Sequence, residues 1–260
     1  MARIRWLKRT VRMIKYGALS PEAAATKKHA RRARRRRRVF ASAAWAHDGL
    51  IARRRYGSYT DYVEHQASKL RSIHERREHK DADAVARFAA DFEAETALAG
   101  CRVIVCLGAR LGAEVEALHD LDYFAIGIDI EPGPKNTRVL YGDFHSLVFP
   151  DASIDAVYTN SLDHVYDFAA VTAEVARVLR ADGALIIDAV HGFDEGFVPG
   201  DYEASIWRTT SDLVGELESR GPLCFESQRA IADRGRHEWT RIVMRKRKAP
   251  VATPDTSPNG

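Results

Sequence analysis

Apolar residues arrive in two rhythms along the chain. Between residues 56 and 99 they fall at helical spacing. Ser58 with Asp61 fits a helix-start capping box, and Tyr59, Tyr62, Val63, Gln66, Leu70 and Ile73 then trace one face. A second helix is predicted over Asp83–Leu98, beyond the charged HERREHKD segment. Side chains on these helices are expected mainly to pack, with Tyr59, Tyr62 and His65 as candidates for facing a site. From Cys101 onward, short β-branched runs alternate with helical stretches. RVIVCL at 102–107, YFAIGI at 123–128, TRVLY at 137–141, IDAVYT at 154–159 and ALIIDAV at 184–190 read as strands. Helices are predicted over 112–118, 168–179 and 204–219, and two last strands over 223–228 and 238–244. This alternation predicts an α/β sheet with helices on both faces.

Two ends fall outside these rhythms. Within residues 1–40, Ile4, Leu7, Val11 and Ile14 make a short apolar stripe among Arg and Lys, followed by KKHARRARRRRR at 27–38. The stripe suits a basic amphipathic helix on an anionic membrane surface. The Arg-rich block reads as a solvated, disordered arm. Residues 249–260 carry Pro250, Pro254 and Pro258 without a core pattern and read as a disordered tail. The expected organisation is a basic arm at 1–40, a helical cap at 41–99, a catalytic domain at 100–248 and a tail at 249–260.

Charge sharpens that division. The net charge of +4 averages two unlike parts. Residues 1–40 hold 15 Lys/Arg and one acid, whereas residues 41–260 hold 25 Lys/Arg and 35 Asp/Glu. The acidic body would repel nucleic-acid phosphate; the arm would attract it. No apolar run approaches the ~20 residues that cross a bilayer, and no secretory signal is visible. Three cysteines without a CxxC pair predict neither a disulfide framework nor a structural zinc site. The cytoplasm is the expected location, with peripheral contact at the inner membrane face through residues 1–38.

Chemistry gathers at three successive strand ends. The first strand runs into Cys106-Leu-Gly108-Ala-Arg110-Leu-Gly112, where glycine lets the backbone approach a ligand. The second ends at Asp129-Ile130, 21 residues after Gly108. That offset suits a carboxylate accepting both hydroxyl protons of a ribose. The third ends at Gly142-Asp143-Phe144, an acid for an adenine amino group beside an aromatic for its ring. These residues describe a nucleoside-shaped site.

The chain here resembles the class I S-adenosylmethionine-dependent methyltransferases, in their small-molecule, type 11-like branch. Six segments in order carry the resemblance. They are 103–112, Asp129, Asp143, LVFPDASIDAVY at 147–158, NSLDHV at 160–165 and EVARVLRADG at 174–183. It implies a Rossmann-like sheet of seven strands, mostly parallel, with one antiparallel strand near an edge, plus the N-terminal helical extension. It also implies S-adenosyl-L-methionine as cofactor, held by Gly108, Arg110, Gly112, Asp129, Ile130, Asp143, Phe144 and Asn160. The family usually has an acid where Cys106 stands and a glycine where Arg110 stands.

The resemblance implies transfer of a methyl group to a hydroxyl of a glycan or other small molecule. Such a reaction needs in-line positioning and a base. Candidate catalytic residues are Asp163, His164 and His191, with Asp188 also considered; histidine suits because its reference pKa is ~6.5. The spacing of Asp163, Asp188 and His191 does not mark a metal site, and none is assigned. An RNA methyltransferase using the Arg-rich arm, an inactive relative serving as an interaction protein, and an NAD enzyme are the alternatives.

Overall fold

A computed structural model describes residues 45–74, 81–133, 136–231 and 238–248. The basic arm, its amphipathic stripe and the proline-bearing tail lie outside the described residues.

Seven strands form the central sheet. β3 (Val103–Leu107), β4 (Phe124–Asp129), β5 (Val139–Tyr141), β6 (Ile154–Thr159) and β7 (Leu179–Val190) run parallel. β10 (Trp239–Lys246) is antiparallel to both β7 and β9 (Leu223–Ile231). The order is β5-β4-β3-β6-β7-β10-β9. The seven strands and the single antiparallel strand beside the edge agree with the expectation. The chain builds outward from β3 through β4 to β5, then returns to add β6 on the other side of β3. That reversal opens a crevice at the carboxyl ends of β3 and β6, where ligands of open α/β sheets bind.

Both faces of the sheet are covered. Side chains alternate between faces along a strand. Ile104, Cys106, Tyr158 and Ile186 pack with Phe88 and Phe92 of α2 (Asp81–Glu93) and with Val115 and Leu118 of α3 (Ala113–Asp120). On the opposite face, Leu107, Thr159 and Leu185 line a shared cavity with Phe168, Val171 and Val175 of α4 (Phe168–Val178) and Leu217 of α5 (Thr210–Ser219). Strands covered on two sides must be apolar at consecutive positions, which is why β3, β6 and β7 read as continuous β-branched runs.

The first face also buries a charged network. Arg241 of β10 is fully buried and grips Asp188 of β7 through two bonds, Nε to Oδ1 at 2.7 Å and Nη2 to Oδ2 at 2.9 Å. The Tyr158 hydroxyl donates to Asp188 Oδ2 at 2.6 Å, and Arg241 Nη1 donates to the Asp91 carbonyl of α2 at 2.8 Å. Burial pulls the Arg241 pKa down, but its bonds to Asp188 more than offset this and raise it. Asp188, considered above as a base, is thus engaged inside the core.

The cap departs from an all-helical reading. α1 (Tyr59–His74) starts as expected, with the Asp61 N–H donating to Ser58 Oγ at 3.1 Å. Residues 45–54, however, form a hairpin of β1 (Trp45–Asp48) and β2 (Ile51–Arg54) turned at Gly49, whose φ is 61°. β2 pairs antiparallel with β8 (Ser205–Trp207), giving a separate three-stranded sheet. The helix predicted from residue 204 therefore begins at Thr210. Thr209 and Asp212 form the reciprocal capping box that starts it, and the wholly buried Ser-Ile-Trp before it belongs to a strand. Likewise α2 ends at Glu93. Residues 96–98 form a separate 3-10 turn capped by Glu95, whose carboxylate accepts the Ala97 N–H. No helix among the described residues is long and apolar enough to cross a membrane.

Candidate cofactor and acceptor cleft

The crevice beyond β3, β4 and β6 holds an open cleft. Its floor comes from the sheet: Gly108 and Arg110 after β3, Asp129 and Ile130 at the end of β4, Phe144 after β5, and Ser161 and His164 after β6. Its other wall is α1, which contributes Tyr62, Gln66 and Lys69.

The loop after β3 passes close to its neighbour. A Cβ on Gly108 would stand 2.7 Å from both Cβ and Oγ of Ser161, at a φ of 69° that L-residues avoid. Gly108→Ala should therefore displace the loop against Ser161. We expect at least a tenfold loss of cofactor affinity and about 1–3 kcal/mol of stability, checked by titration calorimetry and urea unfolding. Gly112 has a φ of 83° and caps α3, where a Cβ would meet Val139 at 2.9 Å. It shapes the turn and is not among the cleft-lining residues. Arg110 adopts a φ of 47° without being glycine. Its N–H is anchored on Asp129 Oδ2 at 2.9 Å, and its carbonyl accepts from Asn136 Nδ2 at 3.0 Å.

Asp129 is buried and also accepts the Glu131 N–H at 2.9 Å. Burial raises its pKa, against the pull of those two backbone bonds. A carboxylate has about four lone-pair positions, so two remain after these bonds. Asp143 is held by more partners. Oδ1 accepts the His145 N–H at 2.8 Å and His145 Nδ1 at 2.7 Å, and Oδ2 accepts the Tyr59 hydroxyl. His145 Nε2 accepts the Asp167 N–H at 3.1 Å, which fixes the proton on Nδ1. Burial works to raise the Asp143 pKa, but bonds from His145 and Tyr59 prevail and hold it down to about 2. Asp143 is therefore an ionised acceptor, with one position left on Oδ2. The neighbouring Phe144 is buried beside the cleft.

Asn160 is half-buried, and its Oδ1 accepts the Ser161 hydroxyl at 3.1 Å. Asp163 is buried; its Oδ2 lies 3.9 Å from His164 Nε2. His164 lines the cleft, with Nδ1 3.0 Å from the Tyr202 carbonyl and Nε2 2.8 Å from Lys69 Nζ. Burial, then the charge of Lys69, keep His164 neutral by lowering its pKa. His191 is placed elsewhere. Its Nδ1 lies 3.2 Å from Glu238 and its Nε2 3.1 Å from Thr240 Oγ1, both at the β10 side of β7. Cys106, at the position of the family's usual acid, is fully buried on the α2–α3 face. Burial pushes its thiol well above the usual value.

The structure thus brings Gly108, Arg110, Asp129, Ile130, Phe144 and His164 into one cleft. It adds Gln66, Lys69 and Ser161, which were not among the expected site residues. Gln66 carried a signal in its place on the same helix face as Tyr62; Lys69 and Ser161 carried none of their own.

Comparison with known proteins fits this geometry. The model of the family described as a methyltransferase domain matches residues 105–187. No curated protein matches the chain in sequence. Among solved structures, a Burkholderia thailandensis 1,6-didemethyltoxoflavin-N1-methyltransferase with bound 1,6-didemethyltoxoflavin and S-adenosylhomocysteine is 16% identical. It covers 79% of this chain and 100% of its own, with a TM-score of 0.60. The mitomycin 7-O-methyltransferase is 17% identical, covers 73% of this chain and 61% of its own, and has a TM-score of 0.55.

Proposed function

Because residues 105–187 belong to the methyltransferase-domain family, we propose that the cleft binds S-adenosyl-L-methionine and directs its methyl group to a hydroxyl of a sugar or other small molecule. The observation carrying this reading is the pair of carboxylates at successive strand ends. Asp129 lines the cleft and Asp143 adjoins its lining residue Phe144; each is fixed by protein donors, with two acceptor positions left on Asp129 and one on Asp143.

The residues fit the cofactor's parts. Two remaining positions on Asp129 suit two ribose hydroxyls, and the one on Asp143 suits an adenine amino group. Ile130 and Phe144 supply apolar flanks for the ring. Gly108 lines the cleft without a side chain of its own, and Ser161 packs where a Cβ would stand. Arg110 places a permanent positive charge on the cleft wall, suited to the carboxylate at the methionine end. When bound, the cofactor supplies an activated methyl on a positive sulfonium. The chain's own share is to align the acceptor, exclude water and receive a proton.

The acceptor assignment rests on the resemblance together with the wall of α1. That wall sets polar Gln66 and Lys69 beside aromatic Tyr62, a surface suited to a hydroxylated molecule. The acidic body at 41–260 disfavours phosphate-rich nucleic acid.

Calorimetry should show saturable, one-to-one binding of S-adenosylhomocysteine to the full chain. Methyl-labelled cofactor incubated with fractionated extract of the native cell should then label the small-molecule or glycolipid fraction. Label confined to RNA or protein would overturn the acceptor class. Absence of S-adenosylhomocysteine binding would overturn the whole reading.

A further inference from the structure

Three residues of α1 converge on the segment carrying His164. The Tyr62 hydroxyl donates to the His164 carbonyl at 3.0 Å, the Gln66 amide donates to the Tyr202 carbonyl at 2.8 Å, and Lys69 Nζ reaches His164 Nε2 at 2.8 Å. The Tyr202 carbonyl can only accept, so His164 Nδ1, 3.0 Å away, must carry the ring proton. His164 Nε2 is then the acceptor of an N–H from Lys69. The lone pair that would make His164 a base is already engaged, and the nitrogen on the cleft wall beside it is Lys69.

We propose that Lys69 takes the proton from the acceptor hydroxyl, with His164 as a positioning residue that holds it. This rests on the methyltransferase reading above. As the acceptor oxygen bonds to the methyl carbon, the sulfur–carbon bond breaks and its electron pair stays on sulfur. The hydroxyl proton passes to the Lys69 amine, which becomes an ammonium. A neutral amine can give one N–H to His164 Nε2 and keep its lone pair for the acceptor, so the two roles are compatible.

The surroundings supply the neutral form. Lys69 faces Arg110 after β3, Asp129 at the end of β4, Asp163 and His164 after β6, and Glu203 before β8. Burial, then the Arg110 charge, lower its pKa to about 8 against the pull of Asp163, Glu203 and Asp129. The ammonium therefore gives way to the amine as pH rises through about 8. An added sulfonium cation would act in the same direction as Arg110. Arginine at this position would keep the charge and could not be deprotonated.

Competitive labelling of the purified full chain with an amine reagent, read by mass spectrometry across pH, tests the titration without an acceptor. Lys69 should show a reactivity midpoint near pH 8; a midpoint above about 10, the ordinary lysine range, would overturn the proposal. In the labelled-methyl assay, Lys69→Met and Lys69→Arg should each lower transfer about 100-fold or more, while still binding S-adenosylhomocysteine. Near wild-type transfer by Lys69→Arg would assign Lys69 a charge role and sink its role as base. His164→Phe should move the wild-type rate midpoint away from pH 8, which a merely structural histidine would not do. An unmoved midpoint in a folded variant would remove His164 from the pair. If the wild-type chain fails to bind S-adenosylhomocysteine, the methyltransferase reading falls instead, whatever midpoint Lys69 shows.

Discussion

Asp129→Ala is expected to weaken S-adenosylhomocysteine binding by about 100-fold or more. Hydrogen bonds to a charged partner contribute about 1.5–3 kcal/mol each, and two of them correspond to a factor of at least ~100 in Kd. The carboxylate also anchors the Arg110 and Glu131 N–H groups at 2.9 Å. Its removal therefore frees the glycine loop as well as the proposed ribose contacts. Global stability should change much less, because the lost bonds hold the loops after β3 and β4 and no core side chain. Calorimetry against urea unfolding separates the two effects. Unchanged affinity in a folded Asp129→Ala protein would remove the cofactor from this cleft.

The opposite pattern is expected of Asp188→Ala. Arg241 is fully buried and always charged, so its guanidinium would be left inside the core with its main partner gone. Stranding a buried charge costs about 3–5 kcal/mol, or roughly 6–20 °C in Tm for a domain of this size. Pairing the change with Arg241→Met, which removes the stranded charge, should restore most of the loss. Cofactor affinity should remain near wild type at temperatures where the variant is folded, because the network lies on the α2–α3 face. Thermal unfolding of the single and double variants checks the order. A single variant as stable as the wild type would mean that water or another group solvates Arg241.

What the sequence made legible follows burial. β3, β4, β6 and β7 declare themselves because both sheet faces are covered; Asp129 stands where β4 stops, and Asp143 follows the short edge strand β5. The hairpin at 45–54 is different. Its third strand, β8, lies some 150 residues away, and nothing local marks that pairing except the Asp48-Gly49 turn. Lys69 was hidden for a related reason. A lysine on an amphipathic helix reads as solvent-facing, and only docking of α1 across the cleft turns it toward His164. His191 misled in the other direction. It directly follows a strand end, but its ring is tied to Glu238 and Thr240 of the neighbouring antiparallel segment. Strand-end position therefore marks a site only where the next strand is parallel and the crevice is open, as at β3, β4 and β6.

The segment matched by the family ends at residue 187 and starts at residue 105, whereas α1 occupies Tyr59–His74. The floor residues of the cleft thus fall inside the matched segment, and the α1 wall falls outside it. Substitutions in α1 would change the proposed acceptor wall while leaving the proposed cofactor floor as it is. The proposed acceptor wall is accordingly best probed by diversifying Tyr62, Gln66 and their helix neighbours. Classification by the shared core groups such proteins by their cofactor and passes over their substrates.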